Sequence, residues 1–152
     1  MLNFDAVKQS IKDDAIKSTP QESCGVLIRI GEGLEYISCL NKYPSINNFI
    51  LDPLDYANAE DRGEVVAIVH SHVTQGTKLS NVDIACMRKD TIPWIVYSVV
   101  LDNFEYHEPD TSIPEYLERD YIFGVQDCYT IIQDYYKQEY SIDIPSNPNQ
   151  DP

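Results

Sequence analysis

Apolar positions along the first hundred residues switch between two periods. Phe4, Val7, Ile11 and Ala15 recur at steps of three and four, with lysines and aspartates between them. That spacing lines one side of a helix, and Pro20 falls just beyond its end. Two apolar runs, residues 24–30 and 34–40, flank Gly31-Glu32-Gly33, a loop suited to a hairpin. Residues 49–51 predict a short strand, and residues 54–60 predict one or two helical turns. Residues 65–69 are all apolar and mostly β-branched, which predicts a central strand. A helix over 80–89, with Val82, Ala85 and Cys86 or Met87 on one side, leads to a strand over 93–101, and residues 103–107 can pair back on it. The expected fold class is α/β in the α+β sense, a mixed and mainly antiparallel sheet flanked by helices.

Charge narrows the function. The 152 residues carry 11 Lys+Arg against 25 Asp+Glu, a formal charge of −14. Nucleic-acid binding needs a basic face to neutralise phosphate, so the chain is expected to bind none. An anionic membrane surface repels it as well. The longest apolar stretch, residues 92–101, is broken by Pro93 and Ser98 and is too short for membrane insertion. The N-terminus carries Asp5, Asp13 and Asp14 without a continuous apolar core, so no signal peptide is expected. Cys24, Cys39, Cys86 and Cys128 form no CxxC pair and are expected as reduced thiols in a cytoplasmic setting, although four cysteines also permit two bridges.

The acidity is uneven: residues 101–152 hold 12 acids and 2 bases. Five of the nine prolines and seven of the eleven tyrosines also follow residue 105. Such a shift marks a boundary between Glu105 and Arg119, in the segment containing Pro109 and Pro114. The expected organisation is a domain over 1–105, an acidic linker over 106–120 and the start of a second module over 121–152.

The strand over 65–69 runs into His70-Ser71-His72. Side chains two apart on a strand share a face, so both imidazoles can reach one point. Seven residues later comes Ser80-Asn81-Val82-Asp83, which opens a helix and presents Asp83 in its first turn. Two imidazoles and a carboxylate suit Zn²⁺ and leave the open fourth position of a catalytic site. Glu22 precedes the strand over 24–30. If that strand lies beside 65–69, Glu22 can serve as the base that takes a proton from water and passes it to a leaving amine. The Ser80 hydroxyl can donate to a developing oxyanion. Ser80-x-x-Asp83 is equally a helix-capping arrangement, which does not exclude ligation.

The pattern His70-x-His72, seven residues, Ser80-x-x-Asp83 resembles the JAMM (MPN-type) zinc metallopeptidases. Pro20-Gln21-Glu22-Ser23-Cys24-Gly25 looks like the segment that supplies the catalytic glutamate in their prokaryotic branch. The resemblance covers about residues 1–105. It implies His70, His72 and Asp83 as zinc ligands, Glu22 as general acid/base, Ser80 as transition-state donor, and hydrolysis of amide or isopeptide bonds. Val73 and Leu79 stand where many members have proline, and neither position carries chemistry.

Near the C-terminus, Asp127-Cys128 opens an amphipathic helix containing Ile131, Ile132, Tyr135 and Tyr136. A helix N-terminus favours thiolate, while a buried structural cysteine is the commoner use of such a position. The stretch resembles the opening of NlpC-type cysteine peptidase domains, in which Cys128 takes the nucleophile's place. No histidine follows Cys128, so Cys128 is expected to be inactive here, in a truncated or vestigial module.

A JAMM module followed by an NlpC-type module resembles the arrangement of tail tip assembly proteins of tailed phages. It implies other tail tip proteins as partners and a peptide or peptidoglycan substrate. It also implies residence in the host cytoplasm during assembly and then at the virion tail tip. The rival expectations are a non-catalytic assembly component and a stand-alone isopeptidase.

Overall fold

The computed structural model describes residues 1–117 and 119–146. Two compact units emerge, one from residues 1–79 and 91–109, the other from residues 80–90 and 110–152.

The first unit holds helices α1 (Lys8–Ser18) and α2 (Pro53–Arg62), with strands β1 (Cys24–Ile30), β2 (Gly33–Cys39), β3 (Glu64–His72), β4 (Trp94–Ser98) and β5 (Asn103–His107). The five strands form one sheet in the order β2-β1-β3-β4-β5. All neighbours are antiparallel except β3 and β4. The fold class is the expected one, a mixed and mostly antiparallel sheet with helices.

Alternation sorts the sheet's faces. Leu27, Ala67, Val69, Ile95 and Tyr97 meet the helical stripe of Phe4, Val7, Ile11 and Ala15 on one face. On the other, Val26 and Ile28 pack with Ala59 of α2. Asp52 caps α2 by accepting from the Leu54 amide at 2.8 Å, and Pro53 supplies a preset first turn. Leu27 is fully buried between α1 and the sheet. Leu27→Ala is therefore expected to cost about 2–5 kcal/mol, read as a lower urea midpoint with an unchanged slope.

Two local expectations change. Residues 49–51 form no strand; Leu51 makes only an isolated bridge to Asn41, because Asp52-Pro53 starts α2 at once. The central strand runs on through both histidines, since β4 pairs with it in parallel as far as His72 opposite Ser98.

In the second unit, α3 (Asn81–Met87) and α4 (Cys128–Tyr140) are both closed by capping boxes. Arg119 fastens the intervening chain. Its guanidinium meets Asp134 at 2.6 Å and the carbonyls of Pro114 and Glu115 at 2.6 and 2.7 Å. Among the described residues no helix is long and apolar enough to cross a membrane, and all four cysteines are free thiols. Burial pushes the Cys24 thiol up to about 12 and those of Cys39 and Cys86 up to about 11, so these three stay protonated.

Candidate metal centre

β1 and β3 pair with Cys24 opposite His70. Two further hydrogen bonds continue that ladder past the end of β1. The Ser71 amide donates to the Ser23 carbonyl at 3.0 Å, and the Ser23 amide donates to Ser71 Oγ at 2.8 Å. The same register, carried two residues further, sets Glu22 opposite His72. Side chains at every second position share a face, so Glu22, His70 and His72 converge. Each offers one ligating atom, and these atoms all lie within 4.8 Å of one another. All three residues are buried.

The imidazole pair has the spacing that a shared cation needs. His70 Nε2 and His72 Nε2 are 3.1 Å apart. Two nitrogens held tetrahedrally at zinc distances stand about 3.3 Å from each other. His72 Nδ1 lies 2.7 Å from the Gly76 carbonyl oxygen. A carbonyl can only accept, so Nδ1 carries the hydrogen and Nε2 turns its lone pair to the centre. The His70 ring is stacked on Phe49 at 4.5 Å, and Trp94 meets it edge-on at 5.6 Å. These rings fix its plane and keep the surroundings apolar. The donor set fits a borderline-hard divalent cation such as Zn²⁺.

Sequence reasoning missed the residues that hold this arrangement. Ser71 looks like a mere spacer between the histidines, yet its hydroxyl and amide tie the Glu22–Ser23 segment to β3. Asn41 Nδ2 donates to the Glu22 carbonyl at 2.9 Å and to the Asn48 carbonyl at 3.1 Å. Asn41 Oδ1 accepts from the amides of Tyr43 and Ile50 at 2.9 and 3.1 Å. One amide side chain thus fastens both the Glu22 backbone and the loop carrying Phe49. The only local signal for it is an Asn at the end of a strand, where side-chain to backbone bonds are common.

Ser80, Asp83 and Cys128 lie in the second unit. Ser80 is the N-cap of α3 and Asp83 its third residue. The Ser80 amide and hydroxyl donate to Asp83 Oδ2 at 2.8 and 2.7 Å, and the Asp83 amide donates to Ser80 Oγ at 3.1 Å. Asp83 is buried, and both its rotamer and its position in the first turn are fixed by this box. Cys128 is exposed at the first residue of α4, behind Asp127. Burial penalises the Asp127 charge, but the amides of Thr130, Gly124 and Tyr129 outweigh it and hold the carboxyl below its usual range.

The mixed, mostly antiparallel sheet with its flanking helices is the fold of a JAB-type domain. The chain belongs to the family of prokaryotic homologs of the JAB domain, which matches residues 5–111. It is 34% identical over 136 residues to tail tip assembly protein K of Escherichia phage N15, covering 89% of this chain and 56% of that protein. Tail tip assembly protein K of Escherichia phage lambda is 33% identical over 87 residues, covering 57% of this chain and 41% of the relative. The chain thus spans about half the length of the curated relatives it matches. Among solved structures, a protein from Desulfitobacterium hafniense superposes with a TM-score of 0.53 at 18% identity, over 68% of this chain and 87% of that one. At that identity the likeness speaks for the fold alone.

Proposed function

We propose that this chain is a zinc-dependent peptidase module of a phage tail tip protein, hydrolysing an amide or isopeptide bond. One observation carries the reading: two buried imidazoles and a buried carboxylate converge within 4.8 Å on one face of the sheet. His70, His72 and Asp83 would hold the cation, and Glu22 would act as general acid/base. Bound zinc supplies Lewis acidity, polarising a carbonyl and making solvent easier to deprotonate. Glu22 takes a proton from the attacking water and delivers it to the leaving nitrogen. The Ser80 hydroxyl has a single hydrogen, directed at Asp83 Oδ2. To stabilise an oxyanion it must rotate away, and the Ser80 amide keeps Asp83 Oδ2 engaged while it does so.

The curated relatives are tail tip assembly proteins, which supports other tail tip proteins as partners. The same names support a place in the virion tail; a peptide or peptidoglycan substrate and assembly in the host cytoplasm are proposed from the resemblance alone. The proposed organisation is the peptidase domain over 1–105, a linker over 106–120 and the opening of an NlpC-type module over 121–152, with Cys128 at the nucleophile's place. Residues 147–152 of that last segment lie outside the described residues. The segments of the second unit contain no histidine, so Cys128 would lack its partner within it.

A second reading is a non-catalytic assembly component. It is favoured by the Ser80 hydroxyl being committed to Asp83 and by the assembly role in the relatives' names. Zinc content and chelator sensitivity separate the two. The peptidase reading expects about one zinc per purified chain. It also expects cleavage of a tail protein or a cell-wall peptide that stops on chelation and returns with zinc. A chain that cleaves neither, zinc-loaded or not, is the assembly component.

A further inference from the structure

The loop that follows His72 is fastened at two residues, Gln75 and Thr77, one on each side of the Gly76 carbonyl that His72 uses. Ser98 Oγ, fully buried on β4, donates to the Gln75 carbonyl at 2.6 Å. Thr77 Oγ1 donates to Glu105 Oε2 on β5 at 2.6 Å. His107 Nε2 lies 3.0 Å from the Thr77 carbonyl, which can only accept, so that ring nitrogen donates. Between these anchors the Gly76 carbonyl takes the His72 Nδ1 hydrogen at 2.7 Å. Ser98 is opposite His72 in the β3–β4 register, and Glu105 and His107 are opposite Val96 and Trp94 on the next strand. The anchors thus stand on the face of the sheet that carries both histidines.

We infer that Ser98, Thr77, Glu105 and His107 are positioning residues that hold the Gly76 carbonyl against His72 and thereby set which nitrogen of that ring is offered to a cation. The physical need is specific. An imidazole that carries its hydrogen on Nε2 offers the cation no lone pair there. A carbonyl on a free loop selects the tautomer weakly, because the loop must be ordered to make the bond. Here the ordering is supplied by side chains of two neighbouring strands. This inference rests on the zinc reading for its purpose, but the tautomer itself can be read without metal.

The test uses the full chain with ¹⁵N-labelled histidine, comparing wild type, Thr77→Val, Thr77→Ser and the double variant Ser98→Ala/Thr77→Val. The imidazole nitrogens of His72 are read by long-range ¹H–¹⁵N spectra of the metal-free protein at about pH 8.5, above the usual histidine range. Zinc affinity is read by competition with a chromophoric chelator. Wild type and Thr77→Ser are expected to show the hydrogen on Nδ1 alone. The double variant is expected to show a mixture and to bind zinc about 10–100-fold more weakly, as loss of an outer-shell partner does. If the double variant does not fold, Thr77→Val carries the comparison alone, with a smaller shift in the same direction. Unchanged tautomer and affinity in a folded variant overturn the positioning role and leave the zinc reading standing. A wild type that binds no zinc, yet loses its Nδ1 hydrogen in the variants, overturns the zinc reading and supports the positioning role.

Discussion

His72→Ala is expected to take zinc from about one equivalent per chain to none. The affinity loss should exceed the roughly 10–100-fold that follows removal of an outer-shell partner, because a ligand itself is removed. The structure predicts why the sheet survives. His72 lies at the last position of β3, and its backbone carbonyl still accepts from the Val99 amide at 2.9 Å. What is lost locally is the donor to the Gly76 carbonyl, an unsatisfied acceptor worth about 1–3 kcal/mol. The measurement pairs metal analysis of the purified variant with its thermal midpoint. A folded His72→Ala chain that retains a full equivalent of zinc refutes this centre. Asp83→Ala asks the same of the carboxylate assigned by resemblance. It also removes half of the α3 capping box, so its midpoint is expected to fall by about 1 kcal/mol's worth irrespective of metal.

Much of the frame was legible because it depends on local pattern. The β1–β2 hairpin followed from two apolar runs around Gly31-Glu32-Gly33, and Gly31 indeed has a positive φ of 58°. The start of α3 followed from Ser80, a side-chain oxygen ahead of an amphipathic run, and that of α4 from the amphipathic run that Cys128 opens; the capping role of Asp127 emerged only in the structure. Where the central strand ends was not legible. Its apolar signal stops at Val69, but the hydrogen-bond ladder is indifferent to side-chain polarity and continues to His72 because β4 is there to pair. The histidine pair was visible as a period-two spacing. Its supports were not: Ser71 acts through a neighbour 48 residues away in sequence, and Phe49 reaches the His70 ring from a loop with no periodicity. Contacts of that kind depend on strand order, which a linear pattern does not encode.

Glu22→Gln is the sharper test of chemistry, because it keeps volume and hydrogen-bonding capacity while removing basicity. The Glu22 backbone is fixed independently of its side chain. Its carbonyl accepts from Asn41, and the next residue is tied to Ser71 by two hydrogen bonds. The substitution should therefore leave the fold and the approach to the histidines unchanged. The expected result is a full zinc equivalent with hydrolysis reduced by about 10²–10⁴-fold, the usual contribution of a positioned general base. The zinc measurement separates two roles that geometry alone leaves together, since Glu22 is close enough to both histidines to be a ligand itself. A variant that loses its metal identifies Glu22 as a ligand, and the base must then be sought elsewhere. One that keeps both metal and full activity removes Glu22 from the chemistry. Retained metal with lost hydrolysis is the outcome that makes this buried carboxylate the proton carrier.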